Sequence, residues 1–495
     1  MADIMNLGDC IDASVDPDKV GLIDLFDADN PRDYTYKDLD AAANAVARGL
    51  AARGLQPGDR VAILSSNRAE YLSAYFGTMR AGMISVPTNF KFPKDTIDYI
   101  LRDSGTKFVF ADAPRRADCP ADLPVVEFGR DGADGFDVFL DAGPFASLPA
   151  KPDDVAMFLY TSGSTGRPKG VPLTHGGFNW AVNARVIDAE ERGLVAAPLY
   201  HMNGLFTTKA MFHAHASIVM MEQFRARPYI EAVARYRCTW VLTIPTMMAL
   251  VAREEDLVRE LDLSAVRVLT MGSAPVTMPL FEKIKELFPG AIIANGYGTT
   301  EAGPAVFGPH PDGIPTPPLS LGHPMASVEL RLKGGETADD GVLQMRTGAV
   351  SPGYHNLPDE TAKRFRDGWY DSGDVMRRDA DGFYYFVGRA DDMFVCGGEN
   401  IYPGEVEMML ERQPGVLQAT VVPLADEIKG QRPVAFIVRR EGSSVTEDEI
   451  KAFALDNGPA NEHPRHVAFL DELPLAGTNK IDVRKLTERA KMAWG

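Results

Sequence analysis

The sequence predicts an α/β fold of mostly parallel, layered sheets, and three observations carry that prediction. Short apolar runs alternate with segments of helical period along the first 300 residues or so, the pattern of strands and crossover helices. Beyond a stretch broken by Pro309, Pro311, Pro315, Pro317 and Pro318, the apolar pattern changes to an alternating pair over 328–332 and 342–345, as in antiparallel strands. The chain has 495 residues, 45% of them hydrophobic. That is ordinary for a globular protein and long enough for about three domains or subdomains.

The elements follow in order. Leu39, Ala42, Val46 and Leu50 share one face of a helix predicted over 38–53. Gly58-Asp59 is a turn signal before an apolar strand over 60–64. Tyr71, Tyr75 and Met79 lie on one face of a helix over 68–79. Residues 84–86, 108–111, 155–160, 218–220 and 266–270 read as further strands, and 308–318 as irregular chain. A break at 389–392 separates 1–388 from a compact C-terminal domain over 393–495, which opens with a helix over 405–412. No internal repeat or disordered tail is evident.

Residues 161–170 are the most informative run: Thr161-Ser162-Gly163-Ser164-Thr165-Gly166-Arg167-Pro168-Lys169-Gly170. Glycines let backbone N–H groups approach a ligand, hydroxyls add donors, and Lys169 adds a compact positive charge. The combination suits a polyphosphate. It is not a Walker A loop, because no Ser or Thr follows the Gly-Lys pattern and Pro168 precedes the lysine. A flexible linker is the alternative, but the apolar strand running directly into the run favours a phosphate site.

The same run resembles the signature loop of the adenylate-forming superfamily, which includes acyl- and aryl-CoA synthetases, peptide-synthetase adenylation domains and luciferases. Four more blocks follow in that family's order: Asn295-Gly296-Tyr297-Gly298-Thr299-Thr300-Glu301, Tyr370-Asp371-Ser372-Gly373-Asp374, Gly388-Arg389-Ala390-Asp391-Asp392 with Gly397-Gly398-Glu399-Asn400, and Pro474 to Asp482, which holds Asn479-Lys480. Tyr34-Thr35-Tyr36-Lys37-Asp38-Leu39 extends the likeness toward the start. Within the superfamily the 397–403 segment is most similar to CoA ligases of the 4-chlorobenzoate, 4-coumarate and feruloyl types. The implied fold is a large N-terminal domain of layered mixed sheets with a small β-barrel, and a small mobile α+β C-terminal domain.

The resemblance implies ATP, Mg²⁺ and coenzyme A, with a small carboxylic acid as substrate. A carboxylate attacks the α-phosphate of ATP to give an acyl adenylate and pyrophosphate, and a thiol then displaces AMP. Such chemistry needs positioning and charge stabilisation rather than a protein nucleophile. Residues 161–166 and Lys169 would hold the β- and γ-phosphates. Thr300 would serve the α-phosphate, and Glu301, with Thr165, the metal. Tyr297 would stack on adenine within Asn295, Gly296, Gly298 and Thr299, under the Gly272-Ser273-Ala274-Pro275 loop. Asp374 and Arg389 would hold the ribose, with Phe386 in the same nucleotide site. Lys480 would bridge the carboxylate and the α-phosphate. Asn479 stands where many members have Gly, a change that a left-handed backbone tolerates.

His201, in Pro198-Leu199-Tyr200-His201, would gate the thiol tunnel, joined by Gly397, Gly398, Glu399, Asn400 and Arg465, and either Arg465 or His463 would meet the CoA 3′-phosphate. The acyl pocket would be built from His201, Met202, Asn203, Thr207, Met271, Gly296 and 304–307, starting at Pro304. That mixed lining suits a small aromatic, phenylpropanoid, short or branched acid. Asp391 would be the hinge. Other readings of these residues are an adenylating enzyme with a non-CoA acceptor and a silent nucleotide-binding protein. CoA-dependent AMP release and ATP–pyrophosphate exchange separate the three.

Charge and cysteine content fit these expectations. Net charge is −18, from 51 Lys plus Arg against 69 Asp plus Glu, which disfavours nucleic acid and anionic membrane as partners. Cys10, Cys119, Cys238 and Cys396 show no zinc or redox spacing. With no leader-like N-terminus and no long apolar run, the expectation is a cytoplasmic monomer or homodimer without membrane insertion.

Overall fold

The computed structural model of the chain describes residues 6–161, 167–475 and 481–495. Two large sheets dominate. One runs, in spatial order, Ile292–Gly296, Val268–Gly272, Trp240–Thr243, Arg192–Val195, Ser217–Met221, Val20–Leu25 and Arg32–Thr35. All its neighbours are parallel except the last pair. The other runs Val125–Phe128, Thr106–Asp112, Arg60–Leu64, Ile84–Pro87, Val155–Thr161 and Lys169–Thr174, parallel except for its final hairpin.

Three helices, Tyr36–Ala52, Ala69–Arg80 and Met202–His213, contribute to the core shared by the two sheets. Inward residues Leu22, Ile218 and Met220 of one sheet and Val61 and Ile63 of the other belong to that core. The residues between them point outward. Ile23, Val219 and Met221 pack under the outer helices Ala226–Arg235, Pro245–Arg253 and Met278–Leu287, and Ala62, Leu64 and Val109 pack under Lys94–Asp103. Burial on both faces explains the unbroken apolar runs of these strands. Thr35 and Asp38 form a capping box that starts the Tyr36–Ala52 helix, so the early Thr-Tyr-Lys-Asp segment has a local structural job.

After the proline-broken stretch comes a five-stranded antiparallel sheet: Glu329–Gly334, Asp340–Arg346, Trp369–Arg378, Phe365–Arg366 and, also on Trp369–Arg378, Tyr384–Arg389. An isolated Gly322–Tyr384 bridge ties it to the short ladder Phe307–Gly308 with His323–Pro324. This sheet stands where the small barrel was expected. Residues past 393 build two apolar clusters of their own on the two faces of another sheet, Glu399–Ile401, Phe394–Cys396, Gly430–Arg439 and Val416–Asp426, with His466–Leu470 on Gly430–Arg439. The helix expected over 405–412 is Pro403–Glu411, opened by Pro at its first position. No helix among the described residues is long and apolar enough to cross a membrane, and all four cysteines are unpaired and buried.

Candidate active site

Strands Val268–Gly272 and Ile292–Gly296 end together, with Gly272 opposite Gly296 in the ladder. Their following loops, Gly272 to Pro275 and Gly296 to Glu301, open onto one cavity of about 2020 Å³. The segments after Arg192–Val195 and Ser217–Met221 reach the same cavity through Tyr200, His201 and Glu222. From the other sheet it receives Ser66, Asn67, Phe90 and Thr161, which lie at or beyond the ends of Arg60–Leu64, Ile84–Pro87 and Val155–Thr161. The site therefore lies outside the carboxyl ends of strands from both sheets, the usual location of ligands in open parallel sheets.

The phosphate-loop candidate is a hairpin. Thr161 pairs with Lys169 and Tyr160 with Gly170 across Val155–Thr161 and Lys169–Thr174. Residues 162–166, which include Ser162, Gly163, Ser164, Thr165 and Gly166, fall outside the described residues, but the hairpin fixes where they start and end. Lys169 donates to Glu360 Oε2 at 2.7 Å and lies 5.1 Å from the Tyr354 ring centroid. The hydrogen bond from Lys169 comes first among the causes that hold the Glu360 carboxyl down at about 2.

Glu301 is buried, and burial pushes its carboxyl upward, although the Tyr354 hydroxyl donates to Oε1 at 3.1 Å. A carboxylate withdrawn from water and, among the described residues, without a salt-bridge partner fits a hard divalent cation shared with phosphate oxygens. Among the described residues no group of three or more acidic, His or Cys side chains could hold an ion without such a ligand. Glu301, beside Thr300, would thus hold Mg²⁺ jointly with the nucleotide.

The end expected to take the nucleotide is knotted around Asp374. The Tyr297 hydroxyl donates to its Oδ2, and Arg389 Nη1 donates to its Oδ1 at 2.9 Å. Burial comes first in raising the Tyr297 phenol, with Asp374 next. Asn295 Nδ2 donates to Leu319 O at 2.9 Å, which fixes the base of the loop. At Gly298 a Cβ would come within 2.5 Å of Pro304 Cα, so only glycine lets this loop close over Pro304. Ser273 is held at φ 66, a left-handed conformation that is strained for a side chain and is found at ligand loops. Phe386 also lines the cavity.

At the end expected to take the acid, Tyr71 and Asn67 position the chain before His201. Tyr71 donates to Leu199 O at 3.1 Å, and Asn67 accepts from Leu199 N at 2.9 Å while donating to Ala197 O and Met221 O. Neither residue was assigned to the site from sequence, since each acts on backbone over 120 residues away in the chain. His201 caps the start of Met202–His213, its ring 4.7 Å from that of Tyr200. Met202, Asn203, Thr207, Gly296 and Pro304 line the cavity as expected.

Met271 does not. Leu269 and Met271 face the outer core, leaving Thr270 on the cavity side, because side chains alternate along a strand. Ala305, Val306 and Phe307 likewise run into the core, and only Pro304 of that segment reaches the cavity. Gly397, Gly398, Glu399 and Asn400 form an exposed hairpin turn away from the cavity, and Arg465 pairs instead with His463 Nδ1 at 3.0 Å. Lys480 lies outside the described residues. The next residue, Ile481, lines the cavity. Asp391 lines it too, with its carboxylate 2.7 Å from Arg364 Nη2 and 3.6 Å from Arg389 Nη2. Tyr354, Glu360 and Arg364 were missed from sequence. No local motif marks them, and they reach the site only through the packing of Pro358–Arg364 and the turn before it.

Residues 11–355 match the AMP-binding enzyme family, and residues 405–480 match the AMP-binding enzyme C-terminal domain. The chain belongs to the AMP-binding enzyme family. It is 37% identical over 457 residues to a feruloyl-CoA synthase of Amycolatopsis sp., covering 90% of this chain and 92% of the relative. It is 32% identical over 489 residues to the fatty acid–[acyl-carrier-protein] ligase ScoC of Streptomyces coeruleorubidus, covering 94% and 92%. Among solved structures, ATP-bound MatB from Rhodopseudomonas palustris superposes with TM-score 0.89 at 27% identity, over 99% of this chain and 100% of that one. The apo form of MatB, with the same identity and coverage, gives 0.79. The arrangement of this AMP-binding enzyme is thus nearer to the ATP-bound form.

Proposed function

We propose that this chain is an ATP-dependent carboxylate–CoA ligase working in two half-reactions at one site. The carrying observation is a single cavity that joins the Tyr297–Asp374–Arg389 knot, through Thr300 and Glu301, to the pocket opened by His201, Met202 and Asn203. A carboxylate seated there has its oxygen near the α-phosphate of a nucleotide held at the knot. Attack on phosphorus expels pyrophosphate, and thiolate attack on the resulting carbonyl expels AMP. Lys169 and the hydroxyl loop bind the leaving phosphates, Asp374 and Arg389 orient the ribose, and bound Mg²⁺ supplies neutralisation of phosphate charge.

Residues 1–388 would carry nucleotide and acid, and 393–495 would rotate about the 389–392 hinge. Ile481 lines the cavity and Gly397 to Asn400 do not, which supports an adenylate-forming pose here; the higher similarity to an ATP-bound structure supports it as well. The acid is a small aromatic, phenylpropanoid or short one, and the setting is the cytoplasm, where ATP and CoA are available. Likeness to a carrier-protein ligase favours a second reading, with a carrier-protein thiol as acceptor. An acid panel with ATP and CoA, read for thioester by mass and for AMP release, tests the proposal. AMP release that ignores CoA but responds to a carrier protein selects the second reading.

A further inference from the structure

Arg185 was not among the residues expected at the site. It lies just beyond helix His175–Asn183, which packs on Met202–His213. Partly buried, it lines the same cavity as Ile187, Met202, Asn203 and Phe206. Other cations of the cavity wall are already paired: Lys169 with Glu360, Lys283 with Glu255, Arg364 with Asp371 and Asp391, and Arg389 with Asp374. Lys91, Arg253, Arg377 and Arg484 are exposed to solvent, and the partly buried Arg440 has the Glu411 carboxyl as a charge neighbour. Among the described residues Arg185 has no carboxylate partner. Burial alone bears on its charge, and it disfavours the charged form.

A second group on this wall is also unmatched. Asn203 Nδ2 is buried without a hydrogen-bond partner, although the Asn203 backbone carbonyl accepts from Thr207. An unpaired guanidinium and an unpaired amide donor, set in a wall of Ile187, Met202 and Phe206, are each costly as they stand. One oxyanion on the ligand would satisfy both, and the guanidinium fork matches such a group in two parallel bonds.

We propose that the acid this protein adenylates carries a second anionic group, a carboxylate or sulfonate on a short apolar or aromatic spacer. That group pairs with Arg185 and accepts from Asn203 Nδ2. The proposal rests on the acid-adenylating reading above but is independent of which thiol accepts the acyl group. The acidic surface of the protein (net charge −18) makes an inward cation without a carboxylate partner among the described residues a natural discriminator for a dianion. An uncharged ring or alkyl tail in its place would leave Arg185 desolvated and unmatched.

The test is ATP–pyrophosphate exchange without CoA, using matched acids: terephthalate against 4-methylbenzoate, adipate against hexanoate, and 4-sulfobenzoate to separate sulfonate from carboxylate. The expected result is a kcat/KM preference of at least about 10-fold for the doubly anionic member of a pair. In Arg185→Leu that preference is lost, a fall of at least about 10-fold, while Arg185→Lys keeps part of it. Thermal unfolding of both variants checks that they fold. A wild-type preference for the uncharged acids overturns the proposal. So does an Arg185→Leu variant that slows both members of each pair equally, or that raises only the CoA KM in the thioester assay. Exchange with doubly anionic acids but no thioester with CoA would keep the proposal and remove the CoA-ligase reading.

Discussion

The hydroxyl of Tyr354 donates to Glu301 Oε1 at 3.1 Å, and the ring of the same tyrosine lies beside Lys169 Nζ at 5.1 Å from its centroid. One side chain thereby couples the metal-binding candidate to the lysine proposed to bind phosphate. Glu301→Gln keeps the shape but removes the charge, and an amide is a poorer ligand for a hard cation. The expected outcome is slower adenylation with a right-shifted Mg²⁺ titration. Tyr354→Phe leaves the charge and removes one donor, so it should cost less, about 10-fold or under. Unchanged magnesium titration curves in Glu301→Gln would take Glu301 out of the site.

Lys480 is expected to serve only the first half-reaction. Its neighbour Ile481 reaches the cavity, and a cation there stabilises charge that develops on the α-phosphate. Lys480→Ala should lower adenylate formation by at least about 10²-fold while sparing thioester formation from a supplied acyl adenylate. Single-turnover assays of each half-reaction check this. Equal loss of both would refute the role.

Asp391 is bound to the body of the protein by Arg364 in this pose, so a rotation about it must release or carry that ion pair. The backbone donors described in this turn are Ala390, Asp392 and Met393, which leaves the Asp391 N–H dispensable. Asp391→Pro fixes φ near −65° and restricts Ala390. It should retain adenylation and lower thioester formation by at least about 10²-fold. Asp391→Ala removes the ion pair without fixing φ and should spare both steps. If thioester formation survives the proline, the hinge lies elsewhere.

Lys209 is fully buried, 4.0 Å from the Phe178 ring centroid and 4.6 Å from that of Tyr75, and burial pushes its ammonium down to about 7. Between that value and its ordinary 10.5 the unfolded chain binds the extra proton. Stability therefore rises with pH across this window, by up to about 1.4 kcal/mol per pH unit from this group, and is at its floor below it. Lys209→Met removes the desolvation cost. It should raise Tm at pH 7 and flatten the rise between pH 7 and 10, as thermal melts at several pH values would show. A variant less stable at pH 7 would mean that the ring contacts outweigh burial.

How far the sequence reached depended on the distance over which each interaction acts. The helices with one apolar face and the capping box at Thr35 are local, and the glycine run between two strands places itself. The ordered motifs brought Tyr297, Thr300, Glu301, Asp374 and Arg389 into one site before any coordinates. By contrast, Lys169 and Glu360 meet across 191 residues, and Tyr71 holds Leu199 across 128; no spacing in the chain encodes those contacts. The face of Met271 was also undecidable from sequence. Its strand is covered on both sides, so the alternation that would tell cavity from core is erased. Charge compensation belongs to the folded chain alone. Sequence counts arginines, but only packing decides that Arg364 and Arg389 meet carboxylates while Arg185 lines the cavity with none among the described residues.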